Sequence, residues 1–588
     1  MLVILINWLY IGITTFLTGY AVLGLFARLF EYKIRHMVSY VFAGLAVVTV
    51  YAQFFSLFSG VGAAANILLC LFCAVTALCE RKELKVVLHN WTALLCKQKW
   101  RLPIYALLII LMAYGTSRGY MHFDTGLYHA QSIRWIEEYG VVPGLGNLQS
   151  RFGYNSAAFS LTALYSMKAV FGQSLHATAG FFALVSSFLA LDLYRIFSEK
   201  KLRLSDFARL GLVFYLSVIF SEMMSPASDY YAMLLLFDIL ILWLAEDEYQ
   251  KEKQLQNPAP YGLLCILMVY AVTIKFSVAP LLLLVIKPAV MLLKKKDVKQ
   301  ITVCLLSGLL TAVPFFARNV IISGWLIYPS TLIDLFSVDW KIPKAQADYD
   351  AAEIGVYGKG MTDATLADTP ISEWLPPWFG NLKSLEKVFV LMTVAAVVIG
   401  LVYLAYMLIT CCRKNKVMAA ESSVEKRDDI LWKFKWDFPF VFFVFMISAL
   451  FWFFSAPLIR YGYAYVVALP LITFGFGTLL LMEHTWIKKY SDIVVRVFGI
   501  MVVLFLLTRV KGLGEDIART WQQPYYLRQM DYEDGEAVTQ VVDGVTFYVP
   551  TYRAQIGYDK FPSSLLDWPI ELRGDSIEDG FRQIEAWK

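Results

Sequence analysis

Asp124 stands in a polar, aromatic-rich run, RGYMHFDTGLYHAQSIRWIEEYGVVPGLGNLQSRFGYN at 118–155, that directly follows an apolar stretch at 102–117. His122, Tyr128 and His129 lie within five positions of it. A carboxylate placed where lipid meets water can act as general base toward an acceptor hydroxyl, provided it comes within hydrogen-bond reach of that hydroxyl. The same residue precedes a stretch that reads as a helix, TGLYHAQSIRWIEE, where a carboxylate is a preferred N-cap. Capping and proton transfer need different oxygens, so one does not exclude the other.

Cations that could serve such a base are scattered along the chain. Arg318-Asn319 is followed by GWLIYP at 324–329, Arg460-Tyr461 ends another apolar run, and Arg151 closes the polar island. Arg318 or Arg460 alone reads as a snorkelling anchor at the membrane edge. Several on one face, beside a carboxylate, suit a phosphate or pyrophosphate, whose oxygens match guanidinium forks. Lys275, within AVTIKFSVAPLLLLVI at 271–286, needs a cavity or a partner because a lone ammonium in lipid is costly. Asp229, in SPASD at 225–229, and the deeper Asp238 could each bridge to it; Asp229 is the one assigned to the site. The Trp and Tyr residues fit interface belts, and a few in the loops could stack on a sugar ring.

The elements that must position these groups are membrane helices. The 588-residue chain is 58% hydrophobic and 17% charged, with apolar residues in long runs. Lipid forces backbone groups to pair internally, and the runs are too long for barrel strands, so the expected fold is an all-α polytopic bundle of about fourteen spans. The first run, 3–26, lacks a basic leader and is too long for a signal core, so it reads as a retained helix. Basic clusters at Arg28, Lys33 and Arg35, at Arg81 to Arg101, at Arg195 to Arg203, at Lys294 to Lys296 and at Arg413 to Arg427 mark the cytoplasmic side. The alternation closes only if 155–171 forms an interfacial or half-inserted helix. It then places the first outer loop, 118–174, the acidic Pro/Trp-rich outer loop, 322–385, and the tail on the extracytoplasmic face. The transmembrane domain is expected over 1–510, with an appendage over 511–588 whose VTQVVDGVTFYV at 538–549 predicts a β-hairpin turning at Asp543-Gly544. The loop WLPPW at 374–378 predicts an ordered lid or an interface-hugging segment. The eight cysteines lie in apolar runs or cytoplasmic loops and show no zinc spacing. No cofactor is required, although a carboxylate pair such as Asp124 and Asp229 could recruit a divalent cation. No nucleic-acid partner is indicated by a net charge of only +5.

In its order of motifs the chain resembles the GT-C superfamily of multi-pass glycosyltransferases, which includes lipid A aminoarabinose transferases and protein O-mannosyltransferases. Asp124 matches the acidic residue of the first outer loop, followed by Tyr128, Gly140 and Pro143, with Phe171-Gly172 ending the next helix. Ser225 to Asp229 resembles the second acidic position, and Arg318-Asn319 with Gly324 to Pro329 the Arg-Asn, Gly and Tyr-Pro segment. Two positions depart from the pattern. Asp124-Thr125 replaces an acidic pair, and Arg151-Phe-Gly-Tyr-Asn155 stands where Lys-Pro-Pro is expected, which leaves sugar and acceptor open. The resemblance implies a divergent bacterial branch, an inner-membrane enzyme facing the exterior, and an inverting reaction. The donor would be a polyprenyl-phosphate-linked sugar and the acceptor an envelope glycan, lipid or protein. It makes Asp124 the catalytic base. Lys275, Arg318, Arg460, Asp229, Tyr128, His129 and Arg151 would bind substrate, with membrane lipids around the polyprenyl chain. Two other readings stand beside it. A lipid-linked sugar flippase would need inverted repeats and mid-membrane polar groups, whereas a polysaccharide polymerase or ligase would share the donor chemistry.

Overall fold

A computed structural model describes residues 1–418, 437–483, 490–520 and 525–584. The protein is an all-α polytopic membrane protein. Eleven helices among the described residues are long and apolar enough to cross a membrane, and the bent pair Ala63–Cys79 and Arg81–Lys97 would add one if it forms a single span. Of the about fourteen apolar runs read from hydropathy, Arg101–Ser117 and Tyr261–Ile274 form apolar helices of only 17 and 14 residues, shorter than those eleven. Tyr261–Ile274 is short because the backbone turns extended at Lys275. It then continues as a 3₁₀ run, Phe276–Val285, around Pro280 before the helix Ile286–Lys295. Lys275 thus sits at a turn between packed helices. Of the last basic cluster, Lys426 and Arg427 lie outside the described residues.

Ser228–Lys253 is the axis of the bundle, enclosed by Thr178–Ala190, Leu204–Ile219, Tyr261–Ile274 and Ile459–Glu483. Leu2–Leu29 crosses Val38–Phe55 at two glycines, where a Cβ on Gly19 would lie 1.8 Å from the Tyr40 carbonyl oxygen and one on Gly44 1.7 Å from that of Thr15. Val298–Ser323, Ser384–Met418 and Ser491–Thr520 are edge helices whose exposed leucines and valines face lipid.

The stretch at 155–171 does not cross. Ala157–Leu164, capped by the Ser156 hydroxyl, is buried along its whole length against Val38–Phe55 and Ala130–Glu138. The chain then breaks at Met167, φ 49°, into the short turn Lys168–Phe171. The expected interfacial helix is thus enclosed by protein, because its Ala and Ser residues let neighbouring helices close over it. In the long loop, Trp374 and Trp378 turn inward onto Phe453, and Trp378 Nε1 donates to the Pro457 carbonyl at 2.8 Å. That part of the loop packs on protein.

The tail holds two small sheets. Ala537–Val542 and Val545–Pro550 pair antiparallel across a turn at Asp543 and Gly544, both with positive φ, and Ile570–Leu572 pairs with Phe581–Gln583. This tail seats on the polar island: Trp135 packs on Phe561 and Phe581, and Trp568 Nε1 donates to the Asn147 carbonyl at 2.6 Å.

Candidate functional site

The residues between the helix Arg101–Ser117 and Asp124 run as a strap along the segment before Ser228. Tyr120 N–H donates to the Ser221 carbonyl at 2.7 Å, and His122 N–H donates to Ser225 Oγ, also at 2.7 Å. Gly119, φ 148°, lies so close that a Cβ would meet the Ser221 carbonyl oxygen at 2.3 Å. The strap delivers Asp124 beside Asp229, in the first turn of Ser228–Lys253, where the helix N-terminus favours a carboxylate.

Two further helix ends complete the cluster. Lys275 lies at the C-terminus of Tyr261–Ile274, where a cation is favoured. Arg460 lies in the first turn of Ile459–Glu483, where the helix dipole opposes it, so its charge depends on acidic partners. It has two. Arg460 Nη2 donates to Asp124 Oδ2 at 3.0 Å, and Arg460 Nε forms an ion pair with Asp229 Oδ2 at 3.0 Å. Lys275 Nζ bonds the other Asp229 oxygen and lies 3.8 Å from the centre of the Tyr461 ring. Arg460 therefore occupies the place between the two carboxylates that a divalent cation would need. Among the described residues no three His, Cys, Asp or Glu side chains converge as metal ligands.

The two acids differ in access. The Asp229 side chain is 5% exposed with both oxygens engaged, whereas that of Asp124 is 25% exposed. Asp124 makes no cap hydrogen bond to the π-helical turn Thr125–His129 that follows it, so its carboxylate is not spent on capping. Burial favours its neutral form, but His129, Arg460 and His122 outweigh burial and hold the carboxyl below its usual range. Arg460 is the member of that trio that stays charged at neutral pH. Burial pushes His129 down to about 3, and burial together with Arg460 lowers His122. His122 Nδ1 lies 3.1 Å from the Asp124 backbone N–H, from which it accepts, and 3.4 Å from Asp124 Oδ2, which sets the imidazole directly beside the carboxylate. Tyr128 and His129 stack edge-on, 4.4 Å between ring centres, along the buried side of Asp124.

Asp124, Asp229, Lys275 and Arg460 thus meet, with Tyr128 and His129 alongside. Arg318 and Arg151 do not join them. Arg318 is buried, donating to Ser56 Oγ at 2.5 Å and to Asn155 Oδ1 at 3.3 Å, and no carboxylate pairs with it among the described residues. Arg151 lies against Glu353, with both carboxylate oxygens at 3.2 Å from Nη2. Near it Asp350 accepts from Tyr328 at 2.5 Å and from Tyr154 at 3.4 Å, and the ring contact of Tyr154 with Tyr128, 5.8 Å between centres, links this group to the Asp124 cluster. Asp238, fully buried, accepts from Ser186 Oγ at 2.7 Å and is apart from the cluster.

Sequence reasoning passed over Asp350, Glu353 and the tail's grip on Asp124. The Ile556 and Gly557 amides both donate to the Gly126 carbonyl, at 2.9 and 3.0 Å, and Gln555 Nε2 donates to the Phe123 carbonyl at 3.1 Å. Glu137 completes the joint, accepting from Ser174 Oγ at 2.6 Å and from the Tyr558 hydroxyl. The clustered polar residues of 123–137 carried the only sequence signal for it.

A family model described as "Domain of unknown function (DUF8201)" matches residues 1–467, most of the chain, which therefore belongs to that family. No curated protein and no solved structure matches it.

Proposed function

We propose that this member of the DUF8201 family is a membrane glycosyltransferase that uses a polyprenyl-phosphate-linked sugar to glycosylate an envelope glycan, lipid or protein at the outer face of a bacterial cytoplasmic membrane. The observation that carries the reading is the meeting of Asp124 with Arg460, Asp229 and Lys275, in which Asp124 alone among the two acids keeps solvent access. Asp124 takes the proton of the acceptor hydroxyl as its oxygen attacks the anomeric carbon. The glycosyl–phosphate bond breaks on the opposite side, polyprenyl phosphate leaves, and the configuration inverts.

Of the three cations expected to hold the donor phosphate, Arg318, Lys275 and Arg460, the charge count favours Arg318. Asp124 and Asp229 balance Arg460 and Lys275, so that cluster is neutral overall. Arg318 is balanced by neither Ser56 nor Asn155, both uncharged, and supplies the net positive charge that a phosphate requires. Arg460 orients the base, and Asp229 with Lys275 holds Arg460 in place.

The test is transfer from lipid-linked sugars to candidate acceptors by wild type and Asp124→Asn in lipid discs. The expected loss is roughly 100-fold or more, in the range ascribed to a positioned general base. Full transfer by Asp124→Asn removes the base assignment. Arg318→Ala should weaken donor binding in protein that a melt shows to be still folded, and an unchanged donor affinity returns Arg318 to a structural role.

A further inference from the structure

After Val298–Ser323 the chain turns at Gly324 and runs through TLIDLFSV at 331–338, with no helix or strand, before reaching Trp340. Its apolar side chains point outward: Leu332 is 93% exposed and Leu335 67%, with Ile333 and Phe336 also open. Four adjacent large apolar groups on one irregular loop form a contiguous patch of the kind that marks an interaction surface.

The loop is held in this posture. Lys341 Nζ pairs with Asp334, the one acid within the apolar run, and donates to the Phe336 carbonyl at 2.9 Å. Thr331 Oγ1 donates to Asp348 Oδ1 at 2.6 Å, fixing the other end. Asp334 is thus paired where it sits, and the apolar side chains stand outward around it.

Its position identifies what covers it. Its far end returns to the helix from which it started: Trp340 Nε1 donates to the Val320 carbonyl at 3.2 Å, and Ile342 N–H donates to that of Ser323 at 2.9 Å. That helix is an edge helix, with Leu305, Leu306, Leu309, Leu310 and Val313 all exposed to lipid. At 26 residues it is about 39 Å long, more than the roughly 30 Å hydrocarbon core, so it reaches beyond the core, and the loop is tied to its last turn. Trp325, buried and donating through Nε1 to the Ile342 carbonyl at 2.9 Å, and Trp340 tie the base of the loop to protein and leave its apolar tip outside. We propose that residues 332–336 insert into the lipid leaflet at this end of the bundle and serve as a membrane anchor that fixes the depth of the long loop. The occupant is bilayer lipid; the same end carries Asp124, and the anchor does not depend on the activity proposed for that site.

The experiment places a photoreactive benzoylphenylalanine at position 332 of the full chain in phospholipid discs. The same residue at 309 serves as the lipid-facing standard, and at the exposed tail position 541 as the polar one. After irradiation, lipid adducts are counted by mass spectrometry of the peptide carrying each position. The anchor predicts a yield at 332 comparable to that at 309 and at least roughly tenfold above that at 541. A yield at 332 as low as that at 541 overturns it. So does crosslinking of 332 to a protein partner or to another part of the chain in place of lipid.

Discussion

Arg460 reaches Asp124 across 336 positions of sequence, its Nη2 standing 3.0 Å from the Asp124 carboxylate. The same guanidinium pairs with Asp229, so one residue from the last third of the chain sets the separation of two acids that come from different helices. Arg460 stands at the end of its helix where the dipole disfavours a cation, which makes the two carboxylates its reason for remaining.

Arg460→Gln should therefore destabilise the fold by about 3–5 kcal/mol, the cost of leaving buried charges without their partner. Adding Asp229→Asn should recover part of that loss, though Lys275 then lacks its acid. Unfolding in mixed lipid–detergent micelles measures both; additive effects of the two changes would mean that the pair is not coupled.

Acid should act in two windows. The folded His129 titrates near 3 against an ordinary 6.5, so the unfolded chain binds its proton first and stability declines as pH falls from about 6.5 toward 3. Asp124 is held below its ordinary 3.8, so its contribution persists above that value and is lost as pH falls further. If Asp124 is the base, transfer should keep its rate down to about pH 4 wherever melting shows the protein still folded. Arg460→Gln should move this acid limb upward, and a limb that stays fixed would separate Asp124 from the rate.

Gly19→Ala and Gly44→Ala should each cost more than about 3 kcal/mol, above the usual range for overpacking, because the added methyl meets backbone that cannot rotate away. Gly126→Ala is the contrasting case, since its Cβ meets the Gln555 side-chain oxygen, at 2.2 Å, which can swing aside. Thermal melts of the three variants should rank Gly126→Ala as the mildest.

Tyr558→Phe removes a hydroxyl from Glu137, a bond to a buried acid worth about 1.5–3 kcal/mol if the carboxylate is charged. Hydrogen exchange should then quicken in residues 525–584 while the membrane helices keep their protection. Unchanged exchange in the tail would mean that the Trp135, Phe561 and Phe581 packing alone holds it.

The legible parts of the site were those with a local cost. Lys275 drew attention because an ammonium in an apolar run requires a partner, and Asp229 was one of two acids within reach in sequence terms. Choosing between Asp229 and Asp238 required the helix to be rotated: Asp229 turns to Lys275, and Asp238 turns to Ser186. Arg318 carried the same rim signal as Arg460 and Arg151 was grouped with them, yet Arg151 lies with Glu353 and Arg318 between Ser56 and Asn155. Side-chain type is the same for all three, so only their placement in the fold separates them.

The sequence by itself determined that the chain is helical and membrane-embedded, because hydrogen bonding in lipid permits little else for long apolar runs. It also located the carboxylate at a helix edge, since polarity along one run is a local property. Which cations meet Asp124, how far Ala157–Leu164 is enclosed, and that the tail grips Gly126 were decided by tertiary structure alone. Each depends on helices placed side by side from distant parts of the chain, and close packing, unlike hydropathy, leaves no periodic trace in the residues that will touch.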